Sequence, residues 1–378
     1  MTNHAVICAY TRSPFTPAYK GELARTRADD ILAQVIKGLL AKVTLNLSDI
    51  EDVMVGCAFP EGEQGLNIGR IVALLVGLPV SVGGATVNRF CGSSMEAIHI
   101  AAGKIACGAG EVFIAGGVES MSRVPMGGFN YLPSPALYSA LPAAYMSMGL
   151  TAEQIYKKLS ISRVAQEEFA LQSHKKAAKA DFSGEIVEIK TKLGIVSKDG
   201  CIRAETSLES MAGLKPAFDI AGTVTAATSS PVTDGASAVL VCSEEYAKKH
   251  DLPILARIKS FATSGIAPEI MGLAPVEATR KALARAGLTI ADIDIIELNE
   301  AFSVQALGVI SELGMDVSKI NLDGGALALG HPLGASGARI TGKAAQLLSK
   351  YGKEYALATQ CIGGGQGIAT VLEAVTKA

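Results

Sequence analysis

The sequence predicts an α/β protein of two related halves, and three observations carry that expectation. Residues 38–59 and 281–302 align at one offset of 243 residues, pairing Asp49-Ile50 with Asp292-Ile293 and Ala58-Phe59 with Ala301-Phe302. The same offset sets Cys91 against Gly334 and Glu111-Val112 against Glu354-Tyr355, and one offset held across several elements marks an internal repeat. Short apolar runs alternate with helical patterns, as in sheets covered by helices on both faces. Glycine, 40 of 378 residues, gathers into segments next to those strands.

The elements follow in order. Residues 38–59 read as the end of a helix, a turn and a strand. Ala85 to Ile98 (ATVNRFCGSSMEAI) runs from a strand through Cys91 into a helix. Val112-Phe-Ile-Ala115 is a continuous apolar run, as expected of a strand buried on both faces. Residues 123–150, rich in Pro, Tyr, Met and Gly, keep no period, and 161–181 form an amphipathic helix opened by Ser162. This change of character marks residues 120–222 as an inserted lobe. A second helix–strand unit ends its helix near Gly287 and runs its strand over 292–298. Tyr355-Ala-Leu-Ala358 is another buried strand.

Composition removes several function classes. The chain is 49% hydrophobic and 19% charged, too apolar for disorder, and 34 basic against 36 acidic residues give no global case for nucleic acid. No C-x-x-C pair or His at ligand spacing accompanies the seven cysteines, so no metal site and a reducing compartment are expected. The first fifteen residues lack a basic region followed by an apolar core, and the most apolar run, 71–82, is interrupted by Gly77 and Pro79. A cytoplasmic protein without a membrane span is therefore expected.

Four segments could carry chemistry. Cys91, between a strand and a helix N-terminus, is placed where unpaired N–H groups favour a thiolate, with Gly92 allowing a sharp turn. His331, between Gly330 and Pro332 just before a helix, has the setting of a positioned base. Cys361 ends a buried strand and precedes a glycine-rich turn whose N–H groups could hold an oxyanion. Asn299-Glu-Ala-Phe302 lies past another strand end, the edge at which open α/β sheets bind ligands. Each alone reads as readily as packing; together they are specific. The other five cysteines read as packed thiols. Gly337 to Ala344 nearly matches a P-loop, but Ala344 replaces the hydroxyl that holds magnesium and the segment reads as mid-helix.

In N-R-F-C-G-S-S-M, N-E-A-F, G-H-P-L-G-A-S-G-A-R and C-I-G-G-G-Q-G, with T-V-T-A-A-T-S-S-P-V-T-D-G-A upstream, the chain resembles the thiolases along essentially its whole length. The resemblance implies a five-layered α-β-α-β-α fold: an N-terminal half (1–119 with 223–249), an inserted loop domain (120–222) that binds coenzyme A and the acyl chain, and a C-terminal half (250–378). It implies that Cys91 is the acylated nucleophile, His331 its base and Cys361 a second acid/base. Asn299, through a water, and His331 would hold an enolate oxygen, and the N–H groups of Cys91 and Gly363 a tetrahedral oxyanion. Ser230 and Met148 match positions beside the pantetheine arm, and Arg203 one near the nucleotide end. Coenzyme A is then a substrate, with no cofactor required. Ser147 stands where short-chain biosynthetic members usually carry a His, so the chain is more similar to the fatty-acid-oxidation branch, which cleaves 3-ketoacyl-CoA. The alternatives are a short-chain acetoacetyl-CoA enzyme and a non-catalytic acyl-CoA-binding subunit. A homodimer or homotetramer, and docking with a hydratase/dehydrogenase subunit, are further implications of the resemblance.

Overall fold

The computed structural model describes residues 3–375. Strands β1 (Ala5–Arg12), β2 (Ile50–Gly56), β3 (Gly83–Val87), β4 (Val112–Ser120) and β5 (Thr233–Ser243) form the first half-sheet in the order β3-β2-β4-β5-β1. Strands β6 (Ala256–Gly265), β7 (Ile295–Leu298), β8 (Tyr355–Ile362) and β9 (Gln366–Glu373) form the second in the order β7-β8-β9-β6. Matching β1, β2, β4 and β5 with β6, β7, β8 and β9 reproduces both the order and the sense of pairing, which is parallel for β2–β4 and β7–β8 and antiparallel for the rest. The repeat seen in the sequence is thus a repeat of topology. Two residue pairs, Val6 with Arg257 and Ile7 with Ala256, join the half-sheets edge to edge.

Helices α1 (Ala28–Leu40), α2 (Ile68–Val76), α3 (Ser93–Ala106), α4 (Met148–Leu159), α5 (Arg163–Lys179), α6 (Ala274–Ala286), α7 (Ser303–Leu313) and α8 (Leu333–Tyr351) cover them. In α1 a stripe of Ile31, Leu32, Val35, Ile36 and Leu39 is buried, with Asp29 and Asp30 in the first turn complementing the dipole. Ser162 caps α5 through a bond from the Ala165 N–H, as expected.

Three hydrophobic cores reveal the layers. Strand residues alternate between faces, so Val112 and Ile114 pack with α1 and α2, whereas Phe113 and Ala115 face a central layer. That central core holds Met95, Ile98 and Ile105 of α3 and Ile340, Ala344 and Leu348 of α8, together with Ala356 and Ala358 from the second sheet. On the far face Leu357 packs with Ala282 and Leu283 of α6 and Val309 of α7. The stacking is α-β-α-β-α. Burying each large aliphatic chain contributes about 1.5–3 kcal/mol before entropy.

The two central helices cross at positions that are mates in the repeat, Ser94 and Gly337. A Cβ on Gly337 would come within 2.7 Å of Met95 Cβ, and the Ala338 N–H donates to Ser94 Oγ at 2.8 Å. Glycine is required there so that the helices can approach. Between β4 and β5 lie residues 121–232; between their counterparts β8 and β9 lie only Gly363, Gly364 and Gly365. The long segment packs Ala152 and Ile155 of α4 against Ala301, Phe302 and Cys361 of the second half. The strand expected over 292–298 begins at Ile295, because Thr289 and Asp292 form a capping box around one helical turn, Ile290–Asp292.

Candidate active site

Cys91 sits between β3 and α3, 2% exposed. The sharp turn expected of Gly92 falls instead on Phe90, whose φ of 43° lies in the left-handed region. Gly92 itself has an ordinary φ of −86°. What demands glycine there is space, since a Cβ would meet Ile362 Cδ1 at 2.5 Å. The Gln360 side-chain amide donates to the Cys91 carbonyl, tying the turn to β8. Burial pushes the Cys91 thiol up to about 11, although the N–H groups of Gly363 and of Cys91 itself hydrogen-bond to the sulfur. The helix N-terminus does not by itself yield the expected thiolate; desolvation wins, and the thiol needs a base.

His331 supplies a group of that kind. Its N–H donates to Thr233 Oγ1 at 3.0 Å, and its Nδ1 lies 2.5 Å from Ser336 Oγ. The Ser336 hydroxyl donates to the Pro332 carbonyl at 3.0 Å, so it must accept from Nδ1–H. That assigns the tautomer and leaves Nε2 as the acceptor nitrogen, with Asn299 Nδ2 donating to it at 3.5 Å. Burial, helped by the Arg339 charge, holds the imidazole down to about 3, so it is neutral at physiological pH. Ser336 and Thr233 were not singled out from sequence, although Ser336 lies within the G-H-P-L-G-A-S motif.

Cys361 lies at the end of β8, 1% exposed, and both its burial and the neighbouring Cys91 raise its pKa. Asn299 is fully buried just past β7, its N–H donating to the Thr359 carbonyl at 3.0 Å and its side-chain Oδ1 unpartnered. Gly364 and Gly365, with φ of 78° and 83°, close the turn that presents Gly363 to Cys91. The structure therefore draws Cys91, Cys361 and Gly363 together, and pairs Asn299 with His331.

A cavity of about 640 Å³ opens on Cys91 and Gly363 and is lined by Phe59, Phe90, Met126, Tyr131, Leu132, Pro133, Tyr145, Met146, Ser147, Met148, Met271 and Leu333. Met148 is thus at the cavity, and so is Ser147. Ser230 is not among the lining residues; its N–H donates to the Ala301 carbonyl at 2.9 Å, beside Asn299-Glu-Ala-Phe302. Arg203 is exposed and donates its N–H to His174 Nδ1 at 3.1 Å. A larger hollow of about 830 Å³ between 247–255 and 348–353 contains none of these groups. Among the described residues no His/Cys/Asp/Glu cluster is arranged for a metal, and no helix is long and apolar enough to cross a membrane. Of the five cysteines expected to be packed, Cys107 is exposed at the end of α3, where the helix face turns to solvent.

Comparison with known proteins agrees with this geometry. Residues 5–245 match the thiolase N-terminal domain and residues 252–374 the thiolase C-terminal domain. The chain is 45% identical to a 3-ketoacyl-CoA thiolase of Bacillus subtilis over 386 aligned positions, covering 98% of this chain and 99% of the relative. It is 50% identical to a 3-ketoacyl-CoA thiolase of Shewanella loihica and 48% identical to that of Aliivibrio fischeri, again over 98% of this chain and 99% of each relative. Both halves are matched, end to end, by one family, and the chain belongs to the thiolases.

Proposed function

We propose that the protein is a 3-ketoacyl-CoA thiolase, an acetyl-CoA C-acyltransferase of fatty-acid β-oxidation that cleaves 3-oxoacyl-CoA with coenzyme A. The observation that carries this reading is a buried thiol, Cys91, at one end of an apolar cavity, with a second buried thiol, Cys361, beside it and a neutral imidazole, His331, paired with Asn299. His331 takes the Cys91 proton, and the sulfur attacks the C3 carbonyl carbon. The N–H groups of Cys91 and Gly363 hold the oxyanion. Breaking C2–C3 leaves the acyl group on Cys91 and an acetyl-CoA enolate, whose oxygen is held by the His331 imidazolium and, through water, by Asn299. Cys361 protonates the enolate carbon and becomes a thiolate. It then takes the thiol proton of incoming coenzyme A, whose sulfur displaces Cys91, and His331 returns its proton to Cys91. Two thiols with raised pKa values suit this scheme, since each must hold a proton until its step.

In the same reading the lobe 120–222 carries coenzyme A and acyl contacts, with Met148 and Ser230 along the pantetheine and Arg203 near the nucleotide. The halves 1–119 with 223–249 and 250–378 then supply the chemistry, in a homodimer or homotetramer. The apolar lining from Met126 to Pro133, together with Ser147, favours longer 3-oxoacyl chains over acetoacetyl-CoA. Intact mass after mixing with 3-oxodecanoyl-CoA tests the mechanism: an acyl adduct is expected in the wild type and none in Cys91→Ser. Absence of any adduct would return the non-catalytic reading, and faster turnover of acetoacetyl-CoA the short-chain one.

A further inference from the structure

We propose that Glu119 is the positioning residue for His331: its buried carboxylate clamps the first turn of α8 to the loop after β2, and so fixes the imidazole against Cys91. This rests on the thiolase reading above.

Glu119 lies at the C-terminal end of β4 and is fully buried. Its Oε2 accepts from the Ala58 N–H at 2.8 Å and from the Gly334 N–H at 2.9 Å. Its Oε1 accepts from the Phe59 N–H at 3.2 Å and from Gln64 Nε2 at 2.9 Å, with Cys57 Sγ 3.7 Å away. Both oxygens face N–H donors from backbone or amide, and none of these partners is a cation. Burial raises the Glu119 pKa, while the four N–H donors favour the charged form.

The partners span the two halves. Ala58 and Phe59 follow β2, whereas Gly334 lies in the first turn of α8, three residues after His331, where the helix presents its positive end. The contact is close throughout: a Cβ on Gly334 would come within 2.7 Å of the Gly56 and Val118 carbonyls. Thr233 holds the His331 N–H and Ser336 its ring, while Glu119 holds the helix backbone nearest His331, ahead of the Ser237 contact to the Ala335 carbonyl and the Ser94 contact to the Ala338 N–H.

The fold by itself does not require this group. At the 243-residue offset the mate of Glu119 is Ile362, an apolar residue that packs against Gly92. Only the half that carries Cys91 has the carboxylate. Glu119 is itself absent from the cavity lining and holds Phe59, which lines it, only by the backbone N–H, so its loss should act mainly on the acylation step.

The test is single-turnover acylation and steady-state kinetics of the full chain with 3-oxodecanoyl-CoA, in wild type, Glu119→Gln and Glu119→Asp. Glutamine turns an NH₂ toward backbone N–H groups on one side. Glu119→Gln is expected to lower the acylation rate and kcat at least about tenfold with KM within about twofold, and Glu119→Asp to fall between it and wild type. The stoichiometry of adduct separates a slower active site from a misfolded fraction. Wild-type rates in Glu119→Gln, or a KM that rises in step with the loss, would overturn the proposal. If Glu119→Gln does not fold, Glu119→Asp decides, with at least about threefold slower acylation at unchanged KM expected and wild-type kinetics overturning it. A wild-type enzyme that forms no adduct would instead sink the thiolase reading.

Discussion

His331, the base in the proposed scheme, shows how much of such a group is set by neighbours outside the cavity. Its ring could carry the proton on either nitrogen, and the Ser336 hydroxyl, already committed to the Pro332 carbonyl, selects Nδ1. Ser336→Ala removes that selection without altering the cavity. It is expected to lower kcat about 10- to 100-fold at unchanged KM for 3-oxoacyl-CoA, measured by steady-state kinetics. Cys91 carries the complementary lesson. Its place at a helix N-terminus was legible in the sequence, but burial, which no single segment encodes, raises its pKa and makes the base necessary.

At the scale of the element, α8 does most to join the molecule. Residues 337–344, which mimic a nucleotide-binding loop, are buried mid-helix, where Arg339 pairs with Glu297 at 2.9 Å and Lys343 with Glu185 at 2.8 Å and Asp323 at 2.7 Å. Glu185 also holds Arg12 of β1 at 2.6 Å. One buried cluster therefore ties the first half, the long 121–232 segment and the second half together. Removing one partner of a buried pair leaves an uncompensated charge. Lys343→Met is expected to destabilise the fold by about 3 kcal/mol, read as a lower urea midpoint. The sequence showed that this stretch is helical and not a phosphate loop. It did not show what its cations meet, because the partners lie in β7 and at positions 185 and 323.

The whole molecule should lose stability in acid. His99, His174 and His331 are held down to about 3, 4 and 3, chiefly by burial, from an unfolded value near 6.5. Below pH 6.5 the unfolded chain takes up protons that the native state refuses, so the stability these groups provide is complete above 6.5 and is lost as pH falls to about 4 for His174 and about 3 for His99 and His331. Glu297 acts with the opposite sign. Burial raises it to about 7, so its contribution is present at low pH and is lost as pH rises from about 4.5 to 7. Burial raises Glu119, Asp234 and Glu300 as well, so these carboxyls oppose the histidines above about pH 4.5. Below it Glu185, Glu244 and Glu373, held low by their cation partners despite burial, add to the loss, and urea midpoints should fall there. His99 stacks on Phe261 at 4.3 Å and bonds Thr370 Oγ1 at 2.7 Å. His99→Leu should flatten that slope by about one proton.

What the sequence determined by itself was whatever repeats or is local. The 243-residue offset fixed two like halves, apolar runs fixed buried strands, and four short motifs marked where chemistry would gather. These are legible because helix and strand periods, turns and motifs are written in consecutive residues. Tertiary structure decided the remainder: that Phe90 and not Gly92 takes the strained turn, that Ser336 sets the His331 tautomer, and that Glu119 spans the halves. Cys91, Asn299 and Cys361 come from three separate strand ends and His331 from a link between two helices, and their desolvation and mutual contacts exist only once two sheets are stacked on a shared helical layer. Burial and charge pairing are properties of space, and the order of residues along the chain does not state them.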